Sequence, residues 1–517
     1  MKFLIIQCIF GLLLSLTFLS AQGKENKIIV NADLGKETIS KYIYGHFAEH
    51  LGHCIYGGFW VGEDSSIPNT RGIRNDVVQA LREIKIPVLR WPGGCFADIY
   101  HWRDGVGPRD QRPPILNYHW GGVTEDNSFG THEFMDLCEQ LGCEAYIAGN
   151  VGSGSVEEMK QWVEYMTSDK PGPMSNLRKQ NGRDEPWKVR FLGIGNEVWG
   201  CGGNMNADYY ADLYSHFATF CRDLGGNKLY RIACGPYGEN TKWTETLMKN
   251  IKHNLLQGLS IHFYTVAGKD WNNKGSATQF SENNWFETLE YTLKMDDVIS
   301  KNAKIMDQYD PEKKVGMIVD EWGDWWNVEP GTEPGFLYQQ NTLRDALVAA
   351  INLNIFNNHC DRVKMANIAQ TVNVLQAMVL TQGEKIVLTP SYYVFKMYTV
   401  HHDATMLPLH VETATYDYDN KSIPAITASA SKDQKERIHL SLTNADPKKT
   451  QEIVCSLRGA KISRANGTII TADAMNAFND FDKAEKVGIV DFNDVSVNGD
   501  KIKVKMPPKS IVTLEIY

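Results

Sequence analysis

From about Ile43 to Thr399 the chain repeats one local pattern, a short apolar run followed by a turn and a stretch of helical period. Eight such units succeed one another, which predicts βα units laid around a parallel sheet. The strand candidates end near Glu49, Trp91, Asn150, Glu197, Gly235, Tyr264, Glu321 and Gln370, with cores such as Ala145-Tyr146-Ile147-Ala148 and Met317-Ile318-Val319. Between them, Val77, Val78, Leu81 and Ile84 share one helical face, as do Phe134, Leu137, Cys138 and Leu141, and Leu213, Tyr214, Phe217, Phe220 and Cys221. Eight units in about 360 residues predict an α/β fold, a closed (β/α)₈ TIM barrel with long loops. The rival is an open doubly wound sheet. Its nucleotide-binding fingerprint is not met here, because Gly149, Gly152 and Gly154 have the wrong spacing for G-x-G-x-x-G.

After His401 the pattern changes to short alternating strands, Ile438 to Leu442 and Ile502 to Met506 among them, separated by turn segments at Asn444-Ala445-Asp446-Pro447 and Asn498-Gly499-Asp500. Period-2 alternation of this kind predicts a C-terminal antiparallel β-sandwich, jelly-roll-like. Lys27-Ile28-Ile29-Val30 precedes the barrel and is placed in that sandwich as an N-terminal strand. At the start of the chain, Met1-Lys2-Phe3, an apolar run to Leu19 and Ser20-Ala21-Gln22 have the order of a secretory signal. A membrane anchor is the alternative reading, but the run is short and no later segment reaches the 18 or so apolar residues of a spanning helix. The expected organisation is therefore a signal peptide at 1–21, a catalytic barrel at 40–400, and a sandwich made of 22–39 plus 401–517. The expected product is an exported protein, periplasmic or secreted, without a membrane anchor. Of ten cysteines, Cys8 falls in the signal, and the other nine cannot all pair within one chain.

Composition narrows the partner. Lys and Arg number 53 against 62 Asp and Glu, a net charge of −9 with no basic block, which argues against nucleic acid. The 13 Trp, 22 Tyr and 20 Phe supply flat apolar faces of the kind that suit the C–H faces of sugars. Barrel enzymes gather their working side chains at the C-terminal ends of the strands. Those ends carry Glu49, Arg90-Trp91-Pro92-Gly93-Gly94, Asn196-Glu197, His262 with Tyr264, Asp320-Glu321-Trp322 and Gln370. Two carboxylates on separate strands, flanked by amides and aromatics, are the components of glycosidic bond cleavage. On the fourth and seventh strands, Glu197 and Glu321 would face one pocket.

The same segments resemble glycoside hydrolase family 51, the α-L-arabinofuranosidases. The likeness runs through Tyr44-Gly45-His46-Phe47-Ala48-Glu49-His50-Leu51-Gly52, Leu89-Arg90-Trp91-Pro92-Gly93-Gly94, Gly195-Asn196-Glu197, Asp320-Glu321-Trp322 and Ala366 to Val374, in the right order over nearly the whole chain. The resemblance implies a retaining exo-glycosidase that removes terminal α-L-arabinofuranosyl groups from arabinose-containing glycans. It makes Glu197 the general acid/base and Glu321 the nucleophile. Glu49, Asn196 and Gln370 match positions that bind furanose hydroxyls, Tyr264 the tyrosine beside the nucleophile, and Trp120 and Trp325 aromatics lining the subsite; His262 is taken with them. Family members often have Asn after the Trp-Pro-Gly-Gly turn, where this chain has Cys95, so a thiol, a weaker hydrogen-bond partner, is expected there. The family also implies a homo-oligomer, a trimer or hexamer.

No metal and no cofactor are expected. His46, His50 and His53 straddle a strand end and Gly52, so they do not share a helical face, and no C-x-x-C pair exists. Ser153, between Gly152 and Gly154, lies out of register for a nucleophile elbow. The rival readings are a related retaining endo-glucanase or β-xylosidase on the same barrel, and a non-catalytic sugar-binding protein, which would be expected to lack one of the two carboxylates.

Overall fold

A computed structural model of the protein describes residues 26–517. The expected signal at 1–21 lies outside the described residues. Strand β1 (Asn26–Asn31) belongs to the sandwich. The next eight, β2 (Gly45–Phe47), β3 (Val88–Trp91), β4 (Glu144–Gly149), β5 (Phe191–Ile194), β6 (Tyr230–Ala233), β7 (Gly258–Thr265), β8 (Gly316–Asp324) and β9 (Val363–Ala369), form a closed barrel. All are parallel and pair in chain order, and β9 closes on β2 with Ile368 opposite His46. The closed barrel, not the open sheet, is the architecture, and the predicted strand ends fall within about three residues of the observed ones. Helices at Asn75–Glu83, Thr131–Leu141 and Ala207–Phe220 carry the three predicted apolar faces, except that Phe220, at the end of the third helix, is exposed.

The interior of the barrel is layered. Val88, Tyr146, Phe191, Ile232, Ile318 and Met365 make an apolar plug, drawn from six strands. Because successive strand residues alternate faces, the residue two positions after each plug residue also points inward, one layer nearer the C-terminal mouth. Arg90 stands two after Val88, and Asp320 two after Ile318, so the layer above the plug is charged.

The sandwich comprises a five-stranded and a six-stranded sheet. In the first, β1 runs parallel to Gln451–Arg458 and antiparallel to Leu409–Glu412, so the N-terminal strand is built into the sheet as predicted. A helix at Leu343–Asn358, buried almost all round, ties sandwich to barrel. Its Asn357 accepts from the Tyr44 hydroxyl at 2.9 Å and donates to Ser429 at 3.1 Å, and Asn354 donates to Thr427 at 3.1 Å. Among the described residues no helix is long and apolar enough to cross a membrane.

Candidate active site

At the C-terminal mouth, Phe47, Glu49, Leu51, Gly94, Cys95, Trp120, Asn196, Glu197, Tyr264, Glu321, Trp325, Leu337, Gln370 and Leu375 line a small pocket. Every predicted site residue except His262 is among them.

Two carboxylates dominate its floor. Glu321 Oε1 accepts from Arg90 Nη1 at 2.8 Å and Oε2 from the Tyr264 hydroxyl at 2.9 Å, which fixes both oxygens. Arg90 is fully buried and also donates to Asn196 Oδ1 at 2.6 Å and to the Asp320 carbonyl at 3.2 Å. Glu197 follows β5 in the left-handed region, at φ 38°, a conformation that costs a non-glycine residue energy and is retained only where the surroundings dictate it. Burial, together with the charge of Glu321, raises its pKa above the ordinary carboxylate value. One oxygen each of Glu197 and Glu321 and a ring nitrogen of His262 all lie within 4.8 Å of one another.

His262 stands beneath the pocket, 3% exposed. Its Nδ1 meets Glu197 Oε1 at 2.9 Å and Glu321 Oε2 at 3.5 Å, and its Nε2 meets Asp320 Oδ1 at 3.2 Å. Burial alone would lower its pKa, but the three carboxylates raise it to about 10, so the ring is an imidazolium donating at both nitrogens. Asp320 also accepts from the Tyr146 hydroxyl at 2.6 Å. Burial would raise its pKa, but Arg90, His262 and Tyr146 hold it below its usual value. The histidine therefore addresses carboxylates rather than the pocket space.

Glu49 closes the opposite wall. Its Oε1 accepts from the backbone N–H of Gly94 and Phe96 at 2.9 and 3.0 Å, and its Oε2 accepts from Gln370 Nε2 at 3.0 Å. Burial, and then the charge of Glu321, raise its pKa to about 7. Gln370 Oε1 is buried without a protein partner. Trp120 is carried between the two strands of a hairpin, Ile115–Asn117 and Val123–Glu125, its backbone N–H held by Asn117 Oδ1 at 3.1 Å. Trp325 packs edge-on against Tyr264, ring centroids 5.2 Å apart.

The expectation of a free thiol at Cys95 is overturned. Cys95 is joined to Cys201 by a disulfide, Cα atoms 5.6 Å apart, so its sulfur carries no proton and donates nothing. The partner is 106 positions away, on the loop after Glu197, and spacing alone cannot pair such distant residues. Seven other described cysteines are free. The part of Arg90 is a second feature the sequence reading left unassigned. Its signal was a charged residue inside the otherwise apolar Val88-Leu89-Arg90-Trp91 strand, which only a buried anionic partner can accommodate. Leu337 and Leu375 come from loops and have no periodic pattern to expose them.

The α-L-arabinofuranosidase 1 domain matches residues 80–269, and the α-L-arabinofuranosidase C-terminal domain matches residues 320–510. A Bacteroides ovatus protein described as an intracellular exo-alpha-L-arabinofuranosidase is 54% identical over 98% of this chain and 99% of its own. An alpha-L-arabinofuranosidase C of Emericella nidulans is 32% identical over 90% of this chain and 93% of its own. Among solved structures, the GH51 arabinofuranosidase of Xanthomonas axonopodis pv. citri superposes with a TM-score of 0.94 at 48% identity, covering 96% of this chain and all of its own. The Bacteroides relative overturns the expectation of export, since a chain alike over nearly its full length is named intracellular. An apolar run behind a lysine is a compositional pattern and does not by itself direct a protein out of the cell. Motifs, fold and relatives agree that the chain belongs to glycoside hydrolase family 51, the α-L-arabinofuranosidases.

Proposed function

We propose that the protein removes terminal α-L-arabinofuranosyl groups with retention, Glu321 acting as nucleophile and Glu197 as general acid/base. The observation that carries the reading is the short reach between the two carboxylates, an oxygen of each within 4.8 Å. Retaining enzymes need roughly 5–5.5 Å between carboxyl groups, whereas inverting ones leave about 6.5–9.5 Å for a water. Glu321, its oxygens held by Arg90 and Tyr264, attacks the anomeric carbon. Glu197, its Oε1 occupied by His262, carries its proton on Oε2 and delivers it to the leaving oxygen. Once Glu321 is esterified, the charge that raised the Glu197 pKa is gone; Glu197 then ionises and takes a proton from water.

The furanose is held by Glu49 Oε2 and Gln370 Oε1, with Asn196 Nδ2 as a third contact and Trp120 and Trp325 as walls. A small pocket walled by Trp120, Trp325, Leu337 and Leu375 supports an exo mode on one terminal sugar over an open polymer cleft. The exo-acting Bacteroides relative supports the same mode. The barrel at 40–400 is the proposed catalytic unit, with 22–39 and 401–517 as the sandwich, and the proposed assembly is a trimer or hexamer, which sedimentation would measure. A substrate panel tests the specificity. Aryl α-L-arabinofuranoside is expected to turn over at least about 10²-fold faster than aryl β-D-xyloside or β-glucan, and the reverse order would overturn it. Glu197→Ala is expected to lose roughly 10²–10⁴-fold on arabino-oligosaccharides but far less on an activated aryl substrate. Equal loss on both would remove Glu197 from the acid role.

A further inference from the structure

The disulfide beside Glu197 joins two potential metal ligands. Cys95, Glu197 and Cys201 each present an atom within 4.8 Å of the others, all three are partly exposed, and Cys95 and Glu197 line the pocket. Cys201 Sγ lies 3.7 Å from Glu197 Oε2, the oxygen that His262 leaves alone. In a tetrahedral zinc site, Zn–S bonds of about 2.3 Å and Zn–O bonds of about 2.0 Å put sulfur and oxygen ligands about 3.5 Å apart. The sulfur-to-oxygen distance therefore already suits a shared ion. Cα atoms 5.6 Å apart leave two sulfurs room to separate around one ion once the bond between them is broken.

Both cysteines are also held in place by contacts other than the disulfide. The loop carrying Cys201 is folded back by Gly200 N–H and Gly202 N–H donating to the Glu197 carbonyl at 2.7 and 3.1 Å, and by Met205 N–H donating to the Val198 carbonyl at 2.7 Å. Cys95 is flanked by Gly94 and Phe96, whose N–H groups are both fixed by Glu49. Opening the disulfide would leave both sulfurs near Glu197.

We propose that the reduced protein binds a zinc ion through Cys95 Sγ, Cys201 Sγ and Glu197 Oε2, with water as fourth ligand, and is thereby switched off. In the reducing step two low-molecular-weight thiols supply two electrons. Their own S–S bond forms, the Cys95–Cys201 bond breaks, and each cysteine sulfur takes one proton. Zinc then displaces those two protons, as thiolate ligation requires. An oxygen bound to the cation cannot hold the proton the leaving group needs, so zinc removes the acid while the intact disulfide keeps it clear. The binding half of this proposal stands on geometry; the inhibitory half rests on Glu197 being the general acid.

The test uses the full chain, reduced with a phosphine and freed of reductant, with Co²⁺ as spectroscopic probe and Zn²⁺ as inhibitor. The expected result is one cobalt per chain with a thiolate-to-cobalt charge-transfer band, displaced by zinc, absent from the oxidised protein and lost in Cys201→Ser and in Cys95→Ser. With zinc bound, turnover of an arabino-oligosaccharide by the reduced enzyme is expected to fall by roughly 10²-fold or more. The oxidised enzyme, and each serine variant relative to its own zinc-free rate, are expected to fall less than about twofold. No band in the reduced protein, or a band that survives both serine variants, would overturn the site. Cobalt and zinc bound at these cysteines with turnover unchanged would overturn the inhibitory half, while the acid role of Glu197 is decided separately by Glu197→Ala on arabino-oligosaccharide against activated aryl substrate.

Discussion

At the scale of single residues, the pocket works by placing charges where water cannot relax them. Glu49 shows the energetic cost. Its carboxyl is 2% exposed and titrates at about 7 against an ordinary 4.5, so the folded protein holds this proton more tightly than the unfolded chain does. Stability therefore falls as pH rises through the window from about 4.5 to about 7, by on the order of 3 kcal/mol for this group. Glu49→Gln lacks that titration. Chemical denaturation of both proteins across the window is expected to show the wild type losing ground to the variant as pH rises, and a constant difference would contradict it. His262 acts in the other direction. Its imidazolium favours the ionised form of Glu197, so His262→Gln is expected to raise the Glu197 pKa. The alkaline limb of the kcat/KM profile then moves up by roughly one pH unit; a downward move would show that the ring does not face Glu197 as a cation. The identities of Glu49, Glu197, Glu321 and Gln370 were legible in the motifs. The function of His262 was not, because it depends on three carboxylates from two other strands converging on one ring, and the Cys95–Cys201 pairing was hidden for the same reason.

Elements set how closely those residues approach. The turn after β3 brings backbone against both sides of the pocket, and its glycines are there for lack of a side chain. A Cβ on Gly94 would stand 2.8 Å from Glu321 Oε1, and one on Gly93 2.7 Å from Glu49 Cγ. Glu321 cannot yield freely, since Arg90 holds the oxygen concerned. Gly94→Ala is thus expected to displace the nucleophile and lower kcat by roughly 10²-fold with little change in thermal unfolding temperature. An unchanged kcat would show that the approach is not as tight as described. Element identity was largely readable in advance, because buried parallel strands and amphipathic helices impose periods of their own on the sequence. The loops were less so. The hairpin that carries Trp120 is two three-residue strands, too short for alternation to stand out, and the segment that delivers Leu337 turns through a left-handed residue at that position. The helix at Leu343–Asn358 shows why some elements escape pattern reading altogether: buried nearly all round, it has no polar face to give it a period.

Across the whole molecule, one arrangement links fold to reaction. An apolar plug closes the barrel, a charged layer of Arg90, Asp320 and His262 rests on it, and the two glutamates stand on that layer at the mouth. The sandwich, with β1 built into its sheet, meets the barrel through Asn354, Asn357 and other contacts away from the pocket, such as Trp285 Nε1 donating to the Ala445 carbonyl, and the pocket-lining groups all come from the barrel. The central claim is that Glu321 attacks and Glu197 assists. Its most direct measurement is the anomeric configuration of the product formed by Glu321→Gly with an activated aryl α-L-arabinofuranoside in the presence of azide. The account predicts loss of turnover without azide and rescue with it to the inverted β-arabinofuranosyl azide; rescue to the retained α-azide would contradict it.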